Sequence, residues 1–227
     1  MPLSRGGVVK GLVTVMIRGH GFSKNEIYHI CNKSISNYAI FAKNENVLRF
    51  LSLLEYYNDK KNSSRFSYFL KTNKYSYNNL LLQPEQSRVK FLGYCVMKDH
   101  YHLLLKVLDE PISSFVGRIE NGYSHYFNIK YKRMGPLWQS RFRCIRITTN
   151  EQLLHVTRYL HINPCTSRYV SKPEDWPYSS YLSYLDQNLL NSLTEISIKN
   201  SQTYRKFCED QIDYQKTLKD IKDALLE

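Results

Sequence analysis

The chemistry on offer in this sequence sits on two histidines and one late tyrosine. His100 and His102 flank Tyr101 at the start of an apolar run, YHLLLKV. Residues i and i+2 on a strand point to the same face, so the two imidazoles can hold one divalent ion. An isolated H-x-H is more often a polar pair on a wet sheet face. Here Leu103, Leu104 and Leu105 follow, which marks the strand as central and buried, where an unpaired imidazole is costly. Tyr159 and Asn163 are four apart on a predicted helix and share a stripe that reaches back to His155 and Gln152. A phenol ionises only at about pH 10 and needs an activated electrophile. A metal polarising a phosphodiester supplies one, by neutralising phosphate charge and aligning the leaving oxygen. Two ring nitrogens with oxygen donors suit Mg²⁺ or Mn²⁺ and leave positions open for phosphate oxygens. Zinc is less well served, because no third strong ligand is evident in the sequence.

Charge points to a polyanionic partner. The 227 residues carry 32 Lys+Arg against 20 Asp+Glu, a formal net charge of +12. The densest basic stretch runs from Lys130, Lys132 and Arg133 to Arg141, Arg143 and Arg146, with Tyr131, Trp138 and Phe142 interleaved. That mixture suits phosphate contact plus base stacking, and Lys132, Arg133, Trp138, Gln139, Arg141 and Arg143 are its candidate contacts. Arg158, beside Tyr159, is a further candidate. The 19 tyrosines fit stacking on unpaired bases, and equally a compositional bias shared with Asn. Five scattered cysteines without a CxxC pair indicate neither a disulfide framework nor a zinc knuckle, which fits a reducing cytoplasm. The apolar run at 12–17 is too short to span a membrane.

These residues need a scaffold, and periodicity predicts one. The run EIYHICNK (26–33) alternates as a first strand. Val47, Leu48, Leu51, Leu54 and Tyr57 have helical spacing over 45–57. The polar stretch 58–87 is expected to extend that helix and add a short helical excursion. Strands over 89–97 and 101–107 form a hairpin around Lys98-Asp99. A helix from Pro111 to about Tyr131 follows, then a strand over 143–148. TNEQ (149–152) has a capping-box pattern and opens a helix to about Asn163, which Pro164 is expected to end. This order is the split βαβ, ferredoxin-like arrangement. The fold class is thus α+β: an antiparallel sheet with an additional tyrosine-bearing helix and a helical C-terminal tail. Residues 1–24 read as a poorly specified Gly-rich arm, 25–185 as the folded domain that holds these elements. In the tail, 186–227, one or two polar helices are anchored by Phe207, Ile212, Ile221 and Leu225.

With both histidines on a strand and a tyrosine on a late helix, the chain resembles the HUH single-tyrosine transposases, in particular the REP-associated tyrosine transposases. GYCVMKDHYHLLLK (93–106) resembles the family's His-hydrophobic-His hairpin. NGYSHYFNIKYKRMGPLWQSRF (121–142) resembles its helix and Trp-Gln-x-Arg-Phe loop, LLHVTRYLHINP (153–164) its tyrosine helix, and WPYSSY (176–181) the segment after it. Lys98-Asp99 stands where the family usually has Pro-Asn, which bears on the hairpin turn. The resemblance covers roughly residues 25–185. It implies that His100 and His102 are metal ligands, with Asn163 the third, and that Tyr159 is the nucleophile. It further implies a single-stranded hairpin DNA partner, Mg²⁺ or Mn²⁺, and cleavage through a covalent 5′-phosphotyrosine followed by strand rejoining. A homodimer is left open. The alternative is a ferredoxin-like nucleic-acid-binding or regulatory protein that does not cut.

Overall fold

A computed structural model describes residues 22–109 and 111–224. All but the last three residues of the expected arm lie outside the described residues, as does Leu225. Four antiparallel strands form one sheet: β1 (Ile27–Lys33), β2 (Val89–Val96), β3 (His100–Val107) and β4 (Arg143–Ile147). Their order is β2-β3-β1-β4, the ferredoxin-like order, so β1 and β3 are central. Helices α1 (Asn44–Asn58) and α3 (Ile112–Lys130) cover one face. Tyr101 of β3 packs there against Phe50 of α1, and Asn32 of β1 donates to Glu120 of α3. Strand alternation therefore turns the neighbouring His29, His100 and His102 to the opposite face. That face receives α4 (Asn150–Thr166).

Several contacts fix α4. Thr149 Oγ1 accepts from the Gln152 N–H at its start, and Gln152 Oε1 accepts from the Thr148 N–H. Gly93, at a bulge in β2, faces it; a Cβ there would lie 3.4 Å from Ser180 Oγ and 3.8 Å from Leu160 Cδ2. His161 is fully buried between Ser180 Oγ and Tyr204 Oη, each at 2.7 Å. Ser180 in turn accepts from the Tyr94 N–H of β2. Tyr204 lies on α7 (Ser201–Glu209), so one imidazole ties the tyrosine helix to both sheet and tail.

Three sequence expectations are corrected. Helix α1 stops at Asn58 and is not extended; the stretch beyond holds a separate short helix, α2 (Phe66–Thr72). Phe66 packs against Tyr56, and Asn58 instead caps the start of β2, its Oδ1 accepting from the Val89 N–H. Pro164 does not end α4, which runs on to Thr166. Near a C-terminus, proline removes one helical hydrogen bond, and the Ser167 N–H still reaches Asn163 O. After a short α5 (Tyr181–Leu185), the tail has more helices than expected: α6 (Gln187–Ser192), α7 and α8 (Ile212–Ala224). Of its expected anchors, Ile212 is buried and Phe207 packs partly buried against the core, whereas Ile221 is exposed; Tyr204 and Cys208 are buried there as well. No helix among the described residues is long and apolar enough to cross a membrane.

Candidate active site

The face of the sheet under α4 opens into a cleft of about 520 Å³. His100, His102, Tyr159, Cys31, Gln139 and Arg143 are among its lining residues. The two imidazoles of β3 stand edge to face, with ring centroids 5.1 Å apart. Each has a second group on its Nδ1. Asp99 Oδ1 lies 2.6 Å from His100 Nδ1, and His29 Nε2 lies 3.0 Å from His102 Nδ1. This pattern fixes ring orientation and leaves Nε2 as the outward donor. Asp99 is itself held by Lys33 Nζ at 3.3 Å. Burial alone would raise the Asp99 carboxyl, but the His100 hydrogen bond with the charges of His100 and Lys33 holds it below the usual range.

Helix α4 brings the other two groups. Asn163, one turn after Tyr159, places its side-chain amide 3.1 Å from His102 Nε2. Its Oδ1 accepts from Ser167 Oγ at 3.1 Å. The Tyr159 ring meets His102 edge to face at 5.4 Å and His29 at 6.4 Å. The residue is 44% exposed, so the ring flank is open while the hydroxyl points inward. Burial of that hydroxyl, with Cys31 and Cys95 nearby, pushes its pKa up, and a hydrogen bond with Asn163 opposes the rise. Burial, then the neighbouring His29 and His100, hold His102 well below its ordinary value, so the ring is neutral at neutral pH. His29, also buried, is lowered to about 4.

Three of the four residues expected to do chemistry, His100, His102 and Tyr159, thus line one cleft, and the fourth, Asn163, is buried beside it against His102. Residues 62–163 match the model of the family described as Transposase IS200 like. The matched segment takes in His100, His102, Tyr159 and Asn163. The chain also resembles REP-associated tyrosine transposases. It is 31% identical over 103 residues to a protein of Haemophilus influenzae named as one, covering 40% of this chain and 57% of that protein. It is 28% identical over 91 residues to the REP-associated tyrosine transposase of Escherichia coli, covering 39% of this chain and 52% of that one. The chain thus spans only a little over half the length of these relatives. A solved REP-associated tyrosine transposase bound to a REP hairpin superposes with a TM-score of 0.55 at 16% identity, over 76% of this chain and 86% of that one. At that identity the likeness bears on the fold.

The expected nucleic-acid contacts divide. Gln139 and Arg143 line the cleft, and exposed Arg141 stands between them in sequence. Lys132 is exposed at the end of α3, with a left-handed backbone (φ 50°), and does not line the cleft. Three others are built into the fold. Trp138 packs against Phe41, Phe50, Tyr101 and Tyr123 on the opposite face of the sheet, its indole donating to Glu120 O. Arg133 donates to Asn128 Oδ1 and to the carbonyls of Gly135 and Pro136, closing its own loop. Arg158 lies over the Phe207 ring at 4.2 Å, joining α4 to α7. His155 and Gln152 also stay outside the cleft, His155 pairing with Arg158 and Gln152 capping the helix.

Sequence reading missed His29, Cys31, Lys33 and Asp99. The ligand atoms of His29, Cys31 and His102 all lie within 4.8 Å of one another. The signal was present in the first strand, where His29 and Cys31 are two apart and share a face.

Proposed function

We propose that this chain is a REP-associated-tyrosine-transposase-like nuclease that cuts and rejoins single-stranded DNA beside a hairpin, with Tyr159 as nucleophile. The observation that carries this reading is the convergence of Tyr159, Asn163 and His102: the Asn163 amide lies 3.1 Å from His102 Nε2, and the Tyr159 ring meets the same imidazole edge to face at 5.4 Å. Nε2 of His100 and of His102 and the Asn163 oxygen form the set that would hold Mn²⁺ or Mg²⁺. The donor chemistry fits: both rings have Nδ1 occupied, and a half-turn of the amide would exchange its nitrogen for oxygen toward His102. A hard ion bound there supplies charge neutralisation at the scissile phosphate.

The chain's own residues do the rest. Arg143 and Gln139 hold the phosphodiester strand in the cleft, and Arg141 steers it there. The phenol Oη of Tyr159 attacks phosphorus as its proton is released. The Oη–P bond forms, the P–O3′ bond breaks, and the departing 3′ oxygen takes up a proton. The DNA 5′-phosphate is then held on Tyr159, until a 3′-hydroxyl attacks the same phosphorus and restores the phenol. Because burial raises the Tyr159 pKa, the nucleophile needs electrostatic help, and cleavage should depend on added metal. The test is incubation with pooled single-stranded hairpins, with and without Mn²⁺. Cleavage leaving 3′-hydroxyl ends only with metal supports the reading. Salt-sensitive binding without cleavage under any metal would leave the non-cutting binding protein as the better description.

A further inference from the structure

We propose that His29, Cys31 and His102 form a second metal site, suited to a thiophilic ion such as Zn²⁺, whose occupancy excludes a hard ion from the His100–His102–Asn163 set. The site arises from sheet register. Cys31 of β1 pairs directly with His102 of β3, and His29 lies two residues earlier on the same face of β1. Two imidazoles and a thiolate are a donor set for zinc, whereas Mn²⁺ and Mg²⁺ prefer oxygen. Tetrahedral zinc, with bonds of about 2.0–2.1 Å to nitrogen and 2.3 Å to sulfur, holds its donors roughly 3.3–3.6 Å apart. His29 Nε2 and His102 Nδ1 are 3.0 Å apart, and all three donors fall within 4.8 Å. Shifts of tenths of an ångström to about one ångström would seat the ion. Cys31 lines the cleft, which gives the ion an entry path and a fourth position for water.

The exclusion follows from imidazole chemistry. A neutral imidazole has one N–H and one lone pair. The Asn163 amide donates to His102 Nε2, which places the ring proton on Nδ1, toward His29. An ion on Nδ1 would move that proton to Nε2, the nitrogen that the His100 set requires. One neutral ring cannot serve both ions. The site itself is independent of the nuclease reading; only the inhibition it causes rests on that reading.

The test is titration of the full chain with Co²⁺ alone, followed by near-ultraviolet absorption. A thiolate-to-cobalt charge-transfer band is expected, bleached when Zn²⁺ displaces Co²⁺. It should be lost in Cys31→Ser and retained in His100→Ala, with both variants checked for folding by circular dichroism. Zn²⁺ should suppress Mn²⁺-supported cleavage by the wild type but no longer by Cys31→Ser. No band in the wild type, or a band that survives in Cys31→Ser and disappears in His100→Ala, overturns the proposal. A Cys31-dependent band in a chain that cleaves no hairpin supports the site and counts against the nuclease reading alone.

Discussion

The side-chain amide of Asn163 lies 3.1 Å from Nε2 of His102, so the tyrosine helix and the central strand meet at one hydrogen bond. Asn163→Ala removes this contact and a neutral oxygen donor that water can partly replace. Cleavage should fall yet recover in part at high Mn²⁺, because the two imidazoles remain. The stability cost should be about 2 kcal/mol, at about 1 kcal/mol for each of the hydrogen bonds lost with His102 and with Ser167. Cleavage against Mn²⁺ concentration checks this, and a loss that no Mn²⁺ concentration relieves would mean Asn163 does something other than ligate.

Asp99 is the positioning residue for His100, 2.6 Å from its Nδ1. Removing such a partner typically weakens metal affinity about 10–100-fold. Asp99→Ala should do so for Mn²⁺ measured by calorimetry, with circular dichroism unchanged. Unaltered affinity would show that the His100 ring holds its orientation without the carboxylate.

DNA binding should weaken with salt. Each phosphate contact on a single strand contributes a slope of about −0.7 in log affinity against log salt. Arg141→Ala and Arg143→Ala should each flatten the slope by roughly that amount. Arg133, Trp138 and Arg158 serve the fold, so their replacement should lower thermal stability and leave the slope nearly unchanged. A flattened slope in Arg158→Ala, with the stability of the wild type, would place DNA on α4 instead.

Acid should loosen the tyrosine helix through His161. Burial lowers its pKa from 6.5 to about 3. Between those values the unfolded chain binds a proton that the folded chain does not. Stability therefore rises with pH across this window and is lost as pH falls through it, by up to about 1.4 kcal/mol per pH unit for this one group. His29, lowered to about 4, adds to the loss in the upper part of the same window. Urea unfolding at pH 7 and pH 5 measures it, and equal stability at the two would remove His161 as the sensor.

Much of this architecture was legible because it rests on periodicity. Alternation in 26–33 and 143–148 and the apolar runs of 89–97 and 101–107 marked the strands, and spacing of four put Tyr159 with Asn163. What escaped depends on which elements touch. His29 and Cys31 gain meaning only once β1 lies against β3 in a register that sets Cys31 opposite His102. Trp138 and Gln139 are adjacent in a motif, yet only Gln139 lines the cleft, while the Trp138 ring enters the core on the other side. Arg158 is one residue from Tyr159, about a quarter-turn round the helix, and that rotation delivers it to Phe207. Pro164 was misread because its cost depends on how near the helix end lies, and the end is set by Ser167 and the residues beyond it.

The most direct measurement is peptide mapping of the covalent adduct trapped on a single-stranded hairpin substrate with Mn²⁺. The nucleotide should be found on Tyr159. Tyr159→Phe, which keeps the ring between His102 and solvent, should abolish adduct and cleavage while DNA affinity changes little. Tyr169→Phe, Tyr178→Phe and Tyr181→Phe should still form the adduct. A nucleotide mapped to any other tyrosine, or cleavage that persists in Tyr159→Phe, would contradict the assignment of Tyr159 as the nucleophile.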